Sequence, residues 1–189
     1  RAVHKFVLEG REAFEASYGR CEHKGTTSAG KAEREVMRQA GKTPLAGKDY
    51  DRYAMAGTVI RLNPNIADAF TGGMPEVSVF WEEEVDGEIV RQKARFDYLK
   101  VRAISDLKTH DPMDGTSFEA SCHRVLKTRA HAIQAQSYLQ ARSKLAEFVA
   151  DGAVYGDHDA EWLRKVAASP ECAFVFCFWA SKGPPLTWG

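Results

Sequence analysis

Apolar residues along the chain change their spacing twice, and those changes divide it into zones. Over residues 1–18, Val3, Phe6, Val7 and Phe14 recur at helical spacing, which predicts a helix. Residues 22–30 are polar and glycine-bearing and read as a loop. A charged helix is predicted over 31–41, closed by Gly41 and Pro44, and another over 48–62, stopped by Asn63-Pro64. A short helix over 64–71 ends at Gly72-Gly73. Spacing then becomes β-like. Glu76 to Trp81 predicts a strand, Asp86-Gly87 a turn, and Glu88 to Leu99 the returning strand. A third strand is predicted over 100–108, broken by Asp111-Pro112 and Asp114-Gly115. Helical spacing returns from Ser117 to Ala150, with interruptions, and again over 157–168. Cys172 to Ala180 is an apolar strand, and Pro184-Pro185 opens the tail. The expected order is helices, three strands, helix, strand: an α/β fold.

Neither repeats nor a linker divide this order, so one domain over residues 1–189 is expected. The chain starts at Arg1 rather than methionine, which leaves room for a leader or further domain ahead of it. A hydrophobic share of 44% and a charged share of 28% are those of an ordinary globular protein with a core. Basic and acidic residues balance at 26 each, so a nucleic-acid partner would need a local basic face rather than a basic total. No apolar run approaches the roughly 18 residues of a membrane span, so no membrane partner is expected. The four cysteines, Cys21, Cys122, Cys172 and Cys177, contain no Cys-x-x-Cys pair, which argues against a zinc site. Free thiols in a reducing cytoplasm are the expectation.

The candidate chemistry begins at Ser105-Asp106-Leu107-Lys108-Thr109. On a strand Asp106 and Lys108 share a face while Leu107 faces the core. The acid can hold a divalent metal, and the lysine can hold a water or neutralise phosphorane charge. Asp97 ends the preceding strand, and a short connection at Leu99–Lys100 would bring the two aspartates together, an oxygen donor set suited to magnesium or manganese. On the following helix Gln134 and Tyr138 are four apart and share a face. His4 sits on the first helix. Taken singly, each has an ordinary reading: an exposed strand face, a turn aspartate, a packing face, a surface histidine. His123, Arg124, Lys127, Arg129 and His131 form a basic cluster just before Gln134 that could follow DNA phosphates, or simply face solvent.

The joint order is more specific. Ala-x-His-x-x-x-Leu-Glu at 2–9, Glu-x-Ser-x-x-Trp at 76–81, Arg95-Phe96-Asp97, Asp106-Leu107-Lys108-Thr109 and Gln134-x-x-x-Tyr138 follow one another along nearly the whole chain, ahead of the aromatic, proline-bearing segment at 172–185. In this the sequence resembles the PD-(D/E)XK nuclease superfamily. More narrowly, it looks like the RecB-type branch and the exodeoxyribonuclease VIII (RecE-like) family of phages and prophages. The resemblance implies an αβββαβ core with additional N-terminal helices. It implies Mg²⁺, replaceable by Mn²⁺, held at the positions of His4, Asp97 and Asp106 with the Leu107 carbonyl, and Lys108 positioning the attacking water. Glu76 would serve a second metal or the water, and Gln134 and Tyr138 would support the site and contact DNA. Some relatives carry a four-cysteine iron–sulphur cluster; the late cysteines here are too few, so none is expected.

The implied activity is a 5′-to-3′ DNA exonuclease acting on linear duplex and leaving 3′ single strands for recombination. Its partners would be DNA, a single-strand annealing recombinase and further copies of the chain in a ring. Its place would be the cytoplasm of a bacterial host. Two alternatives stand beside it: a RecB-like single-strand or structure-specific endonuclease, and a non-catalytic DNA-end-binding module of the same fold.

Overall fold

The computed structural model describes residues 1–112, 115–183 and 186–189. The expected breaker Asp114 and the Pro184-Pro185 tail signal lie outside the described residues. Contacts within the chain gather into two compact units, Arg1–Ala67 and Asp68–Gly189.

The first unit is helical with one small sheet. Instead of a single helix over 1–18, α1 (Ala2–Glu9) and α2 (Arg11–Ser17) are separated by Gly10, whose φ of 96° leaves the helical region. Val3, Phe6 and Phe14 are buried as their spacing predicts, and Phe6, Phe14 and Ala2 form a core with Tyr18, Leu45, Tyr50 and Tyr53 around it. The helix α3 (Ser28–Gln39) begins inside the expected loop, because the Thr27 side chain accepts the Gly30 N–H as an N-cap. The long helix α4 (Gly47–Leu62) packs on α1 at Gly57, where an added Cβ would stand 2.4 Å from the Phe6 ring. The unexpected feature is a parallel pair, β1 (Tyr18–Cys21) with β2 (Thr43–Ala46). Two four-residue strands too short to show a period are strands only because each completes the other's hydrogen bonds.

The second unit is α/β, with a mixed five-stranded sheet. After a 3₁₀ turn at Ala67–Phe70, β3 (Met74–Val85) and β4 (Glu88–Leu99) form an antiparallel hairpin closed at Asp86-Gly87. Both turn residues have positive φ, 52° and 83°, as a two-residue hairpin turn of the twisted sheet requires. The third strand, β5 (Ala103–Thr109), starts later than expected because residues 100–102 are spent on the turn, where Lys100 N donates to Ala103 O at 2.8 Å. The helical stretch is α5 (Phe118–Thr128), α6 (His131–Ser143), α7 (Leu145–Ala150) and α8 (Ala160–Ala168), with α5 capped by Ser117 and α8 by Asp159. This crossover returns the chain to β6 (Ala173–Trp179), parallel to β5. A short β7 (Thr187–Trp188) pairs antiparallel with β6, giving the order β3-β4-β5-β6-β7.

The core lies between the sheet and the helices α6 to α8. Val79, Trp81, Ala94, Phe96, Leu99 and Ile104 meet Ala141, Leu145 and Val166 there. Each large side chain fully buried in this way stabilises by roughly 1.5–3 kcal/mol. A charged residue fastens the same layer. Arg142 is buried, and its Nη2 donates to the carbonyls of Val101, Val166 and Ser169 at 3.0, 2.6 and 3.1 Å. It thereby ties α6 to the β4–β5 turn and to the end of α8. Among the described residues, no helix is long and apolar enough to cross a membrane.

Candidate active site

Two interruptions in hydrogen bonding mark one place in the sheet. The β4–β5 ladder runs only through Tyr98↔Ser105 and Leu99↔Ile104. At the next position the strands part, and the Asp97 carboxylate fills the gap: its Oδ2 accepts the Leu107 N–H at 2.9 Å. On the other side of β4 the ladder skips the position where Glu76 would face Asp97. Glu76 there takes φ 56°, a left-handed conformation that costs a non-glycine residue on the order of 1 kcal/mol or more. The Glu76 carboxylate pairs with Arg95 Nε at 2.9 Å on the same hairpin.

Asp106 is the buried centre of the arrangement, at 2% exposure. Its Oδ1 accepts from Gln134 Nε2 at 2.9 Å. Its Oδ2 lies 2.6 Å from Lys108 Nζ but makes no well-aligned hydrogen bond, so that contact is Coulombic. The strand alternation holds: Asp106 and Lys108 meet, and Leu107 between them is buried.

The electrostatics follow from this crowding. The Asp97 carboxyl is pushed up to about 6, first by burial and then by the Asp106 charge, with Glu76 adding to the rise. The Leu107 N–H and the Lys108 ammonium pull it back without cancelling it. Two carboxylates largely withdrawn from solvent thus have one ammonium between them. Cys177, buried beside the strand pair, is pushed up to about 12 by burial and by Asp106, which keeps it a thiol. The His131 imidazole is held below its ordinary value by burial first and by Lys108 next.

The other expected residues fall into three groups. Gln134 reaches Asp106 directly, whereas Tyr138, one turn on, packs its ring edge-on against Phe96 and Phe174 at 5.5 and 5.9 Å. Arg124, Lys127 and Arg129 are all exposed, and Arg129 is near enough to lower the pKa of both His110 and His131. His123 instead stands over Trp188, ring centres 4.7 Å apart. His4 belongs to the first unit, half-buried on α1. Among the described residues, no three His, Cys, Asp or Glu side chains stand together as a ligand group. The side chains offered at this place are Asp97 and Asp106, and other ligand positions would fall to main-chain and water oxygens.

Sequence reading missed the Glu76–Arg95 pair and the proximity of His131 to Lys108. The second had a faint signal, since His131 and Gln134 are three apart on one helix face. The first had none, because the cross-strand register decides it. No family model, no characterised protein and no solved structure matches the chain.

Proposed function

We propose that the chain is a magnesium-dependent DNA nuclease whose reaction centre is Asp97, Asp106 and Lys108. The observation that carries the reading is the charge imbalance at the strand ends. Asp106 Oδ2 is buried without an aligned hydrogen bond, and Asp97 beside it is held near 6 by burial and by Asp106. An oxygen-only pair of acids in that condition suits a hard divalent cation, so the residues present fit magnesium or manganese. Asp97 and Asp106 would hold it, with the Leu107 carbonyl as a further ligand drawn from the family resemblance. The fold is consistent: three antiparallel strands, a helical crossover and a parallel fourth strand follow the αβββαβ order of that superfamily.

A bound magnesium ion would supply neutralisation of phosphate charge and acidification of a water. The chain's own residues do the rest. Gln134 holds Asp106 in orientation by its 2.9 Å bond, and Lys108, partly exposed at 23%, presents its ammonium to a water or to a phosphate oxygen. Water oxygen bonds to phosphorus, the P–O bond to the leaving strand breaks, and the water's protons pass to solvent and to the departing oxygen. Arg124, Lys127 and Arg129 form an exposed basic stretch for the DNA backbone. Attack from 5′ ends of linear duplex, the supply of 3′ strands to a recombinase, and assembly into a ring extend the proposal on the strength of the resemblance.

The direct test is digestion of end-labelled linear duplex with magnesium and then with EDTA. Cleavage should need the metal, and Asp106→Ala and Lys108→Ala should each remove it, a loss of several kcal/mol in barrier and so of orders of magnitude in rate. Full activity in either folded variant refutes the assignment. Covalently closed circular DNA should survive if the enzyme works from ends.

A further inference from the structure

The orientation of the Gln134 carboxamide needs an explanation that Asp106 supplies only in part. A carboxylate only accepts hydrogen bonds, so the amino end of Gln134 must face Asp106 Oδ1, as it does at 2.9 Å. Its oxygen, Oε1, then points elsewhere on the half-buried side chain and can accept from a second donor. His131 stands three residues earlier on the same face of α6, close enough to Gln134 for the two side chains to interact. The imidazole is also held from the sheet side. Its ring centre lies 5.5 Å from that of Phe176 and 6.3 Å from that of Phe178, both on β6. In the β5–β6 register Phe176 is the partner of Asp106 and Phe178 the partner of Lys108, so these rings share the face of the acid and the lysine.

We propose that His131 is a positioning residue of the active site: by donating to Gln134 Oε1 it fixes the carboxamide, which occupies Asp106 Oδ1 and leaves Oδ2 alone to face Lys108 and a cation. The chain of contacts runs from the Phe176–Phe178 wall through His131 and Gln134 to Asp106. With the imidazole N–H turned to Gln134 the polarity is the same along the relay: imidazole N–H donates, Oε1 accepts, Nε2 donates and the carboxylate accepts. Without the first donor, the carboxamide can present its oxygen to a carboxylate, and Asp106 turns freely between its two oxygens. The inference rests on the nuclease reading only for what Oδ2 goes on to bind.

The test uses the whole chain and two measurements. The first is hydrogen exchange of the Gln134 carboxamide by ¹⁵N–¹H spectroscopy without metal, its signal identified by its loss in Gln134→Ala. The second is Mn²⁺ affinity by calorimetry. His131→Phe keeps a ring against Phe176 and Phe178 but has no donor, and His131→Leu serves as a second donor-less variant. His131→Asn and His131→Gln restore a donor. Exchange should be slow in the wild type, quicken tenfold or more in the donor-less variants, and slow again in at least one restored variant. Mn²⁺ affinity should fall roughly tenfold with loss of the donor, as outer partners of metal ligands commonly require, and recover with it. Unchanged exchange and Mn²⁺ affinity in a folded donor-less variant overturn the proposal. Absence of Mn²⁺ binding in the wild type, with the exchange pattern as expected, sinks the nuclease reading and leaves the relay standing.

Discussion

Asp97→Asn should make the metal-free protein more stable at alkaline pH. The Asp97 carboxyl rises from 3.8 to about 6 in the folded chain, chiefly through burial. Between those values the folded state holds a proton that the unfolded chain has released. Stability therefore falls as pH rises through this window and stays lower above it. At about 1.4 kcal/mol per pKa unit, the ionised side chain costs up to about 3 kcal/mol near neutrality and above. Asparagine removes the charge and keeps a carbonyl oxygen that can accept the Leu107 N–H, now made to Asp97 Oδ2 at 2.9 Å. In EDTA, urea denaturation near pH 8 should show the variant more stable than the wild type by up to about 3 kcal/mol, the difference vanishing near pH 4. Saturating magnesium should narrow the gap from the other side, since it binds the folded wild type; a hundredfold excess over Kd supplies about 2.7 kcal/mol. A variant no more stable than the wild type at pH 8 in EDTA would refute the account of Asp97 as a destabilising, cation-seeking acid.

Replacing Arg142 by Met keeps much of the buried volume but leaves the carbonyls of Val101, Val166 and Ser169 without their donor. It should cost about 3 kcal/mol or more in urea denaturation, and a loss below about 1 kcal/mol would show that water takes the place of the guanidinium. Neutralising Arg124, Lys127 and Arg129 together should weaken DNA binding equally for all sequences. It should also lower the slope of log affinity against log salt by up to about 2.7, read by fluorescence anisotropy across a salt series. An unchanged slope would place the phosphate path on another face.

Local chemistry was enough to expect much of the second unit. The Asp86-Gly87 turn with alternating flanks specified the β3–β4 hairpin, because positive φ at both turn residues and a period of two leave few other solutions. The apolar run from Cys172 to Ala180 announced a strand, observed over Ala173–Trp179, and the close spacing of Asp106 and Lys108 placed them on one face. The burial of Val3, Phe6 and Phe14 was likewise legible, although their helical period runs straight through the break at Gly10 that divides the helix.

What the tertiary structure alone decided is where hydrogen bonding fails and what fills the gap. The β1–β2 pair exists only because two segments far apart in the sequence complete each other, so no local period could announce it. The parting of β4 and β5 at Asp97, the strained backbone of Glu76 and the closure of Gln134 on Asp106 are matters of register between elements. Tyr138 shows the same limit from the other direction. It shares the helical spacing of Gln134 but spends its ring on Phe96 and Phe174, because a face of α6 wide enough for both residues meets the acid at one end and the aromatic core at the other. Residue types and spacing determined which acids and which lysine could act together. Burial, which only packing creates, left two carboxylates with a single ammonium between them.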